Sequence, residues 1–154
     1  MSELKLAALD VEDLDIISAH LQDAVAKVAD FVWLERRQQF ILELNRFVWE
    51  EAGDTSPGQR RRTGLSFARV RAVKARNLPQ RETDRVVNLL AIRYLPDPDA
   101  GSDAGEEDAP AEGIIELLFS DDATLRLEVE CIEARMKDLG PVWAARGTPA
   151  HETP

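Results

Sequence analysis

The chain is poor in the residues from which familiar sites are built. Its 154 residues include one cysteine, Cys131, and two histidines, His20 and His151. A single thiol excludes an intrachain disulfide and a multi-cysteine zinc site, and it suits a reducing compartment. His20 sits in a helical pattern and His151 in the tail, so the two make no metal site. No apolar run approaches the roughly 20 residues that span a bilayer. No phosphate loop, dinucleotide fingerprint, nucleophile elbow or metalloprotease helix occurs. The opening "MSELKLAALDVEDLD" is acid-rich and has no long apolar core, so no signal peptide is read there. A cytoplasmic protein without a cofactor is expected.

What the chain has in excess is negative charge, a formal -10, and that charge is unevenly spread. Residues 60–85 hold nine Lys or Arg against two acids, Glu82 and Asp84. Within them, "RRRTGLSFARVRAVKAR" contains seven cations and no acid. Residues 95–113 are the opposite, with seven acids, three Pro and three Gly and little to bury. That composition predicts a mobile acidic loop. A single globular domain over 1–143 and a frayed tail over 144–154 complete the expected organisation.

Periodicity supplies the elements. A short strand is read at Leu4 to Leu9. Asp10 then caps a helix reaching Gln22 or Ala24, whose apolar face is Val11, Leu14, Ile17, Leu21 and Ala24. "VADFVWLERRQQFILEL" changes to a period of two and predicts a hairpin with its loop at Glu35 to Gln38. The register sets Trp33 against Phe40, Phe31 against Leu42 and Ala29 against Leu44 on one apolar face. On the other face it sets Asp30 against Glu43, a like-charge pair that needs a cation nearby. Leu65, Phe67, Val70, Ala72 and Val73 cannot share one side of a regular strand, so a bulge is expected near Ala68 or Arg69. "VVNLLAIRYL" reads as a central strand. A second hairpin pairs Phe119 with Leu125, Leu117 with Leu127 and Ile115 with Val129, placing Glu116 opposite Glu128. Val129, Ile132, Met136 and Leu139 recur at helical spacing before Gly140 and Pro141, which predicts a closing helix. The expected fold is α+β: a largely antiparallel bent sheet or partly closed barrel of about six to seven strands, with an N-terminal and a C-terminal helix. In outline this is similar to a pleckstrin-homology-like barrel.

The stretches "LAALDVEDLDIISAHLQDAV", "FILELNRFVWE", "RRRTGLSF", "VVNLLAIRYLP" and "LEVECIEARMKDLGPVWAARGTPAH" resemble a bacterial family known as domain of unknown function 2948. The phrases "ISAHLQDAV" and "VECIEARMKDLGP" are the more specific part. The resemblance implies a small cytosolic bacterial protein with no assigned activity. No catalytic residue carries over from it, and the acidic loop is its variable part.

Two readings of the basic stripe stay open. Arg60, Arg61, Arg62, Arg69 and Arg71, with Trp49 beside them, could form a binding surface for an acidic protein segment. The same surface could meet RNA or a phosphorylated ligand, although repulsion from an acidic protein opposes nucleic acid. Alternatively the cations lie beside Asp30, Glu43, Glu116 and Glu128 and pair with them. In every reading "RRR" is expected to be exposed. Cys131 and His20 are the remaining catalytic-looking residues, but Glu130 and Glu133 flank the thiol and would raise its pKa. The expectation is a binding or adaptor module, with a small enzyme using an unrecognised cleft as the alternative. Oligomeric state is not specified by the sequence.

Overall fold

A computed structural model of the chain describes residues 4–48, 59–78, 84–96, 112–140 and 143–144. Its first strand, β1 (Lys5–Ala8), leads into α1 (Val11–His20). Asp10 caps this helix, its Oδ1 accepting the Asp13 backbone N–H at 2.8 Å. Leu14, Ile17 and Leu21 are fully buried, whereas Val11 is exposed and leaves the predicted apolar face. The helix packs on the sheet, where the Ile92 N–H donates to Ser18 Oγ at 2.9 Å.

The remaining strands are β2 (Ala24–Leu34), β3 (Gln39–Phe47), β4 (Gln59–Phe67), β5 (Val70–Arg76), β6 (Val86–Pro96), β7 (Gly113–Phe119), β8 (Thr124–Val129), β9 (Ala134–Asp138) and β10 (Trp143–Ala144). Nine follow the order β1-β9-β4-β3-β2-β6-β7-β8-β5, and β10 pairs with β4. Every pairing is antiparallel. Strands β4 and β5 stand far apart in this order, yet only Ala68 and Arg69 join them. Two residues cannot span a flat sheet of that width, so the sheet bends back on itself. It does not close, because β1 and β5 are not paired with each other.

The β2–β3 hairpin follows the expected register at its tip. A 3₁₀ turn at Glu35–Arg37 and a left-handed Gln38 (φ 54°) connect the strands, with Trp33 opposite Phe40 and Phe31 opposite Leu42. Beyond Phe31 the strand bulges, and Leu44 faces Ala26 instead of Ala29. The bulge lets β2 change partners: its first half also pairs with β6 and its second half only with β3.

Two expectations need correction. The β7–β8 hairpin is shifted by two residues, so Leu117 faces Leu125 and Ile115 faces Leu127. A shift of two keeps every side chain on its face, so Leu117, Ile115 and Leu125 remain buried as read. On the outer face Glu116 meets Arg126 instead of Glu128. Glu116 is buried between Arg126 Nε at 2.8 Å and Arg93 Nε at 2.6 Å. Burial pushes its carboxyl up, but these two guanidiniums outweigh that and hold it below its ordinary value. Because both arginines stay about half exposed, Glu116→Gln is expected to cost only about 1 kcal/mol in urea unfolding.

The predicted closing helix is absent. Its residues form the end of β8, a bend and β9, so the described residues make one α-helix and ten strands, not two helices and six or seven strands. In β9, Ala134, Met136 and Asp138 are buried while Arg135 and Lys137 are exposed. This alternation of period two overrides the helix preference of Glu, Ala, Arg, Met and Lys. Residues 97–111 of the acidic segment and 145–154 of the tail lie outside the described residues.

Candidate binding cleft and the basic residues

The bulge in β2 and the bend before β5 together open a cleft. Past the bulge β2 has no second strand partner among the described residues, and neither has β5 on the side away from β8. The two free edges run antiparallel and are tied at both ends. At one end the Val70 N–H donates to the Gln38 carbonyl at 2.8 Å. At the other, the Val28 N–H donates to the Arg85 carbonyl at 3.0 Å, and the Arg85 guanidinium donates to the Asn77 carbonyl. Between the ties lies a cavity of about 370 Å³ lined by Val28, Phe31, Trp33, Phe40, Val73 and Leu125 among others. Phe31 and Trp33 are half-buried and pack against the core. Phe31 stacks on Phe119 with ring centroids 5.7 Å apart and meets Phe40 edge-on at 6.1 Å. The walls are therefore apolar, with aromatic rings packed against one another.

The basic stripe is divided among three places. Arg62 reaches Glu43 Oε1 at 2.8 Å and Asp30 Oδ2 at 3.1 Å, supplying the cation those two acids require. Burial lowers the Arg62 pKa, but the hydrogen bonds to Glu43 and Asp30 outweigh it and raise the net value. Arg60 donates to the Asn45 carbonyl at 2.8 Å and lies over the Phe47 ring. Burial lowers its pKa, with Asp23 opposing. Arg61, expected to be exposed, is 4% exposed. Arg69 occupies the bend between β4 and β5 with a left-handed backbone (φ 61°), within 3.6 Å of Glu130 and 3.7 Å of Glu133. On β5, Arg71 meets Glu112 at 3.4 Å, Lys74 meets Glu128 at 3.0 Å and Arg76 meets Asp122 at 3.7 Å. Of the acids that sequence reasoning placed beside the stripe, Asp30, Glu43 and Glu128 are its partners, joined by Glu112, Asp122, Glu130 and Glu133, whereas Glu116 pairs with Arg93 and Arg126 outside it. Trp49 lies outside the described residues.

An ionic cluster that the sequence does not announce sits inside the fold. Asp138 is fully buried, and Arg46 clasps both of its oxygens, Nε to Oδ1 at 2.8 Å and Nη2 to Oδ2 at 3.0 Å. Thr63 Oγ1 donates to Oδ1 at 2.8 Å and the Leu4 N–H to Oδ2 at 2.9 Å. Burial pushes the Asp138 carboxyl up, and these four donors outweigh it, leaving the group below its ordinary value.

Cys131 lies in the bend between β8 and β9. Burial raises its pKa first, Arg69 opposes, and Glu133 and Glu130 add to the rise. This thiol is not activated for nucleophilic attack. His20 is the last residue of α1. Among the described residues no group of three His, Cys, Asp or Glu is placed to hold a metal, and no helix is long and apolar enough to cross a membrane.

The family model of DUF2948, described as a protein of unknown function, matches residues 4–151. No curated protein and no solved structure matches the chain.

Proposed function

The chain belongs to the DUF2948 family, which carries no assigned activity, so we propose a function from geometry: a binding module for an extended, acidic segment of a partner protein. The observation that carries this reading is the β2–β5 cleft. It offers two strand edges that are unpaired among the described residues, an apolar floor of about 370 Å³ and a cationic rim. An added strand on β5 would satisfy the free backbone groups of that edge, and its alternate side chains would enter the cleft. The intervening side chains would face Arg71, Lys74 and Arg76. These pairs are open to water, their acids half-buried (Glu112, Glu128) or exposed (Asp122), and such pairs are worth about 0–1 kcal/mol each, so a partner's carboxylates can replace them. Arg69 in the bend extends this rim. Arg62 holds Asp30, the neighbour of the cleft-lining Ala29, and with Arg60 it continues the proposed surface along β4; Trp49, which lies outside the described residues, is proposed with them from the sequence alone. An apolar lining without converging polar groups favours binding over catalysis.

The test uses an eight-residue peptide alternating Glu with Val or Leu, followed by anisotropy of a peptide label and by Trp fluorescence. Binding is expected to shift the Trp emission, and Trp33→Phe should remove that shift. Val73→Glu places a charge in the cleft and should weaken binding at least about tenfold, roughly 1.4 kcal/mol. Lys74→Glu should weaken it most at low salt. If the peptide ignores Val73→Glu, the cleft is not its site. Tighter binding of a uridine oligonucleotide, falling steeply with salt, would instead favour the phosphate reading.

A further inference from the structure

The inner face of β3, β4 and β9 is apolar for most of its length and ionic at one end. Leu42 faces Leu65 and Leu44 faces Thr63, and the next inward pair is Arg46 opposite Arg61. Like charges directly opposite on neighbouring strands repel. Both side chains are buried, Arg46 at 1% exposure and Arg61 at 4%. The carboxylate between them does not serve them equally. Asp138 gives both oxygens to Arg46 and accepts Thr63 and Leu4 as well. Arg61 Nε lies 3.8 Å from Oδ2, beyond hydrogen-bond reach, and the Arg61 guanidinium makes no hydrogen bond with any described residue.

A guanidinium carries five N–H donors and does not lose its charge in a protein. Leaving it buried without acceptors costs several kcal/mol by the usual desolvation argument, so an acceptor is required. Chain acids fill that role for Arg62, Arg71 and Lys74, a backbone carbonyl fills it for Arg60, and the exposed Arg69 and Arg76 are open to water beside their acids. Arg61 alone of the stripe is buried with no hydrogen-bonding acceptor for its guanidinium among the described residues, Asp138 at 3.8 Å being an ion-pair neighbour only.

We propose that Arg61 is the binding residue of an internal oxyanion site, taking a phosphate or carboxylate group that is either free or carried on a small metabolite. The planar fork suits two oxygens of one such group. Arg60, half-buried one residue away, adds positive potential. Arg61 lines no part of the β2–β5 cleft, and the variants that test the two proposals are at different residues, so they fail separately. The overall charge of -10 disfavours casual anion binding, which makes a saturable anion effect informative.

The experiment is titration of the full chain with inorganic phosphate, sulfate and acetate against chloride at fixed ionic strength. It is read by calorimetry and by thermal unfolding. Expected is saturable binding of one oxyanion with a rise in Tm. The preference between phosphate and acetate identifies the group. Arg61→Met keeps the volume and should lose the saturable part, while both proteins keep the general stabilisation by excluded salts. Arg61→Lys should retain weaker binding. Parallel, unsaturating responses of wild type and Arg61→Met would overturn the site, leaving water as the acceptor. Should Arg61→Met not fold, the absence of calorimetric binding to wild type up to about 10 mM, enough to report a millimolar Kd by linkage, overturns it as well.

Discussion

Asp138→Asn is expected to lower the unfolding free energy by about 3–5 kcal/mol, the range for removing one partner of a buried ion pair. The asparagine matches aspartate in size but turns one acceptor oxygen into an NH₂ donor facing a donor, either Arg46 or the Leu4 N–H. It also leaves Arg46 and Arg61 inside the fold without the carboxylate that offsets them. Contrast Glu116, whose two arginines are half in water and can rehydrate when the acid is lost. The pH dependence has a definite sign. Asp138 titrates below its ordinary value when folded, so its contribution is fully present above the unfolded pKa of about 4 and is lost as pH falls toward the depressed folded value. The gap between wild type and Asp138→Asn should therefore be widest near neutrality and narrow below about pH 4. Glu116, also depressed, adds acid sensitivity common to both proteins. Urea unfolding at several pH values checks this, and a gap that grows on acidification would contradict it. The pair Arg46→Met with Asp138→Leu should recover part of the loss, since well-packed apolar replacements of buried ion pairs are often neutral.

The parts of the fold that follow from local pattern were legible in the sequence. The Asp10 cap, the Glu35–Gln38 turn and the Trp33–Phe40 pairing depend on neighbours within a few residues or on strict alternation. A break at Ala68 and Arg69 was legible because Leu65, Phe67 and Val70 cannot share a face of one regular strand, and all three are buried, but the expected bulge is instead a turn between β4 and β5, which pair with different strands. The β7–β8 register was not fixed by alternation, because a slip of two preserves it. The turn held the missing signal: Asp121 and Asp122 both adopt left-handed backbone (φ 62° and 60°), which Asp tolerates and which favours a tight hairpin. Strand β9 was misread because its third inward residue is Asp138. A charged residue at a core position breaks the apolar rhythm unless its partner is known, and Arg46 is 92 residues away. The cleft escaped for a related reason. Trp33 reads as core whether or not β2 has a neighbour on both sides, and only the tertiary path leaves that side open. The family match supports the global likeness but adds no site, since its description assigns none.

Phe67→Ala is expected to destabilise the protein by about 3–5 kcal/mol, the range for deleting a fully buried phenylalanine. The ring is 0% exposed at the last position of β4, where the strand faces Phe40 on one side and Ala134 on the other. Immediately after it the chain turns through Ala68 and Arg69 to begin β5. The backbone there is tied to the β8–β9 bend, the Ala68 N–H donating to the Glu133 carbonyl at 2.9 Å and the Glu130 N–H to the Arg69 carbonyl at 3.0 Å. Two short crossings therefore hold the two halves of the bent sheet at one angle, and Phe67 packs at that corner. Its removal leaves space that the hydrogen-bonded backbone around this corner cannot fill without moving, so little of the cavity cost is relieved by collapse. The same corner sets where β5 lies relative to β2, so the variant should also disturb the cleft. Hydrogen exchange would show faster exchange at Val70, whose N–H bonds Gln38 at the closed end of the cleft, as well as in the core. Val32→Ala, at a site 43% exposed on β2, should cost well under half as much and leave Val70 protected. Equal losses from both variants would mean that the corner carries no special share of the fold's stability.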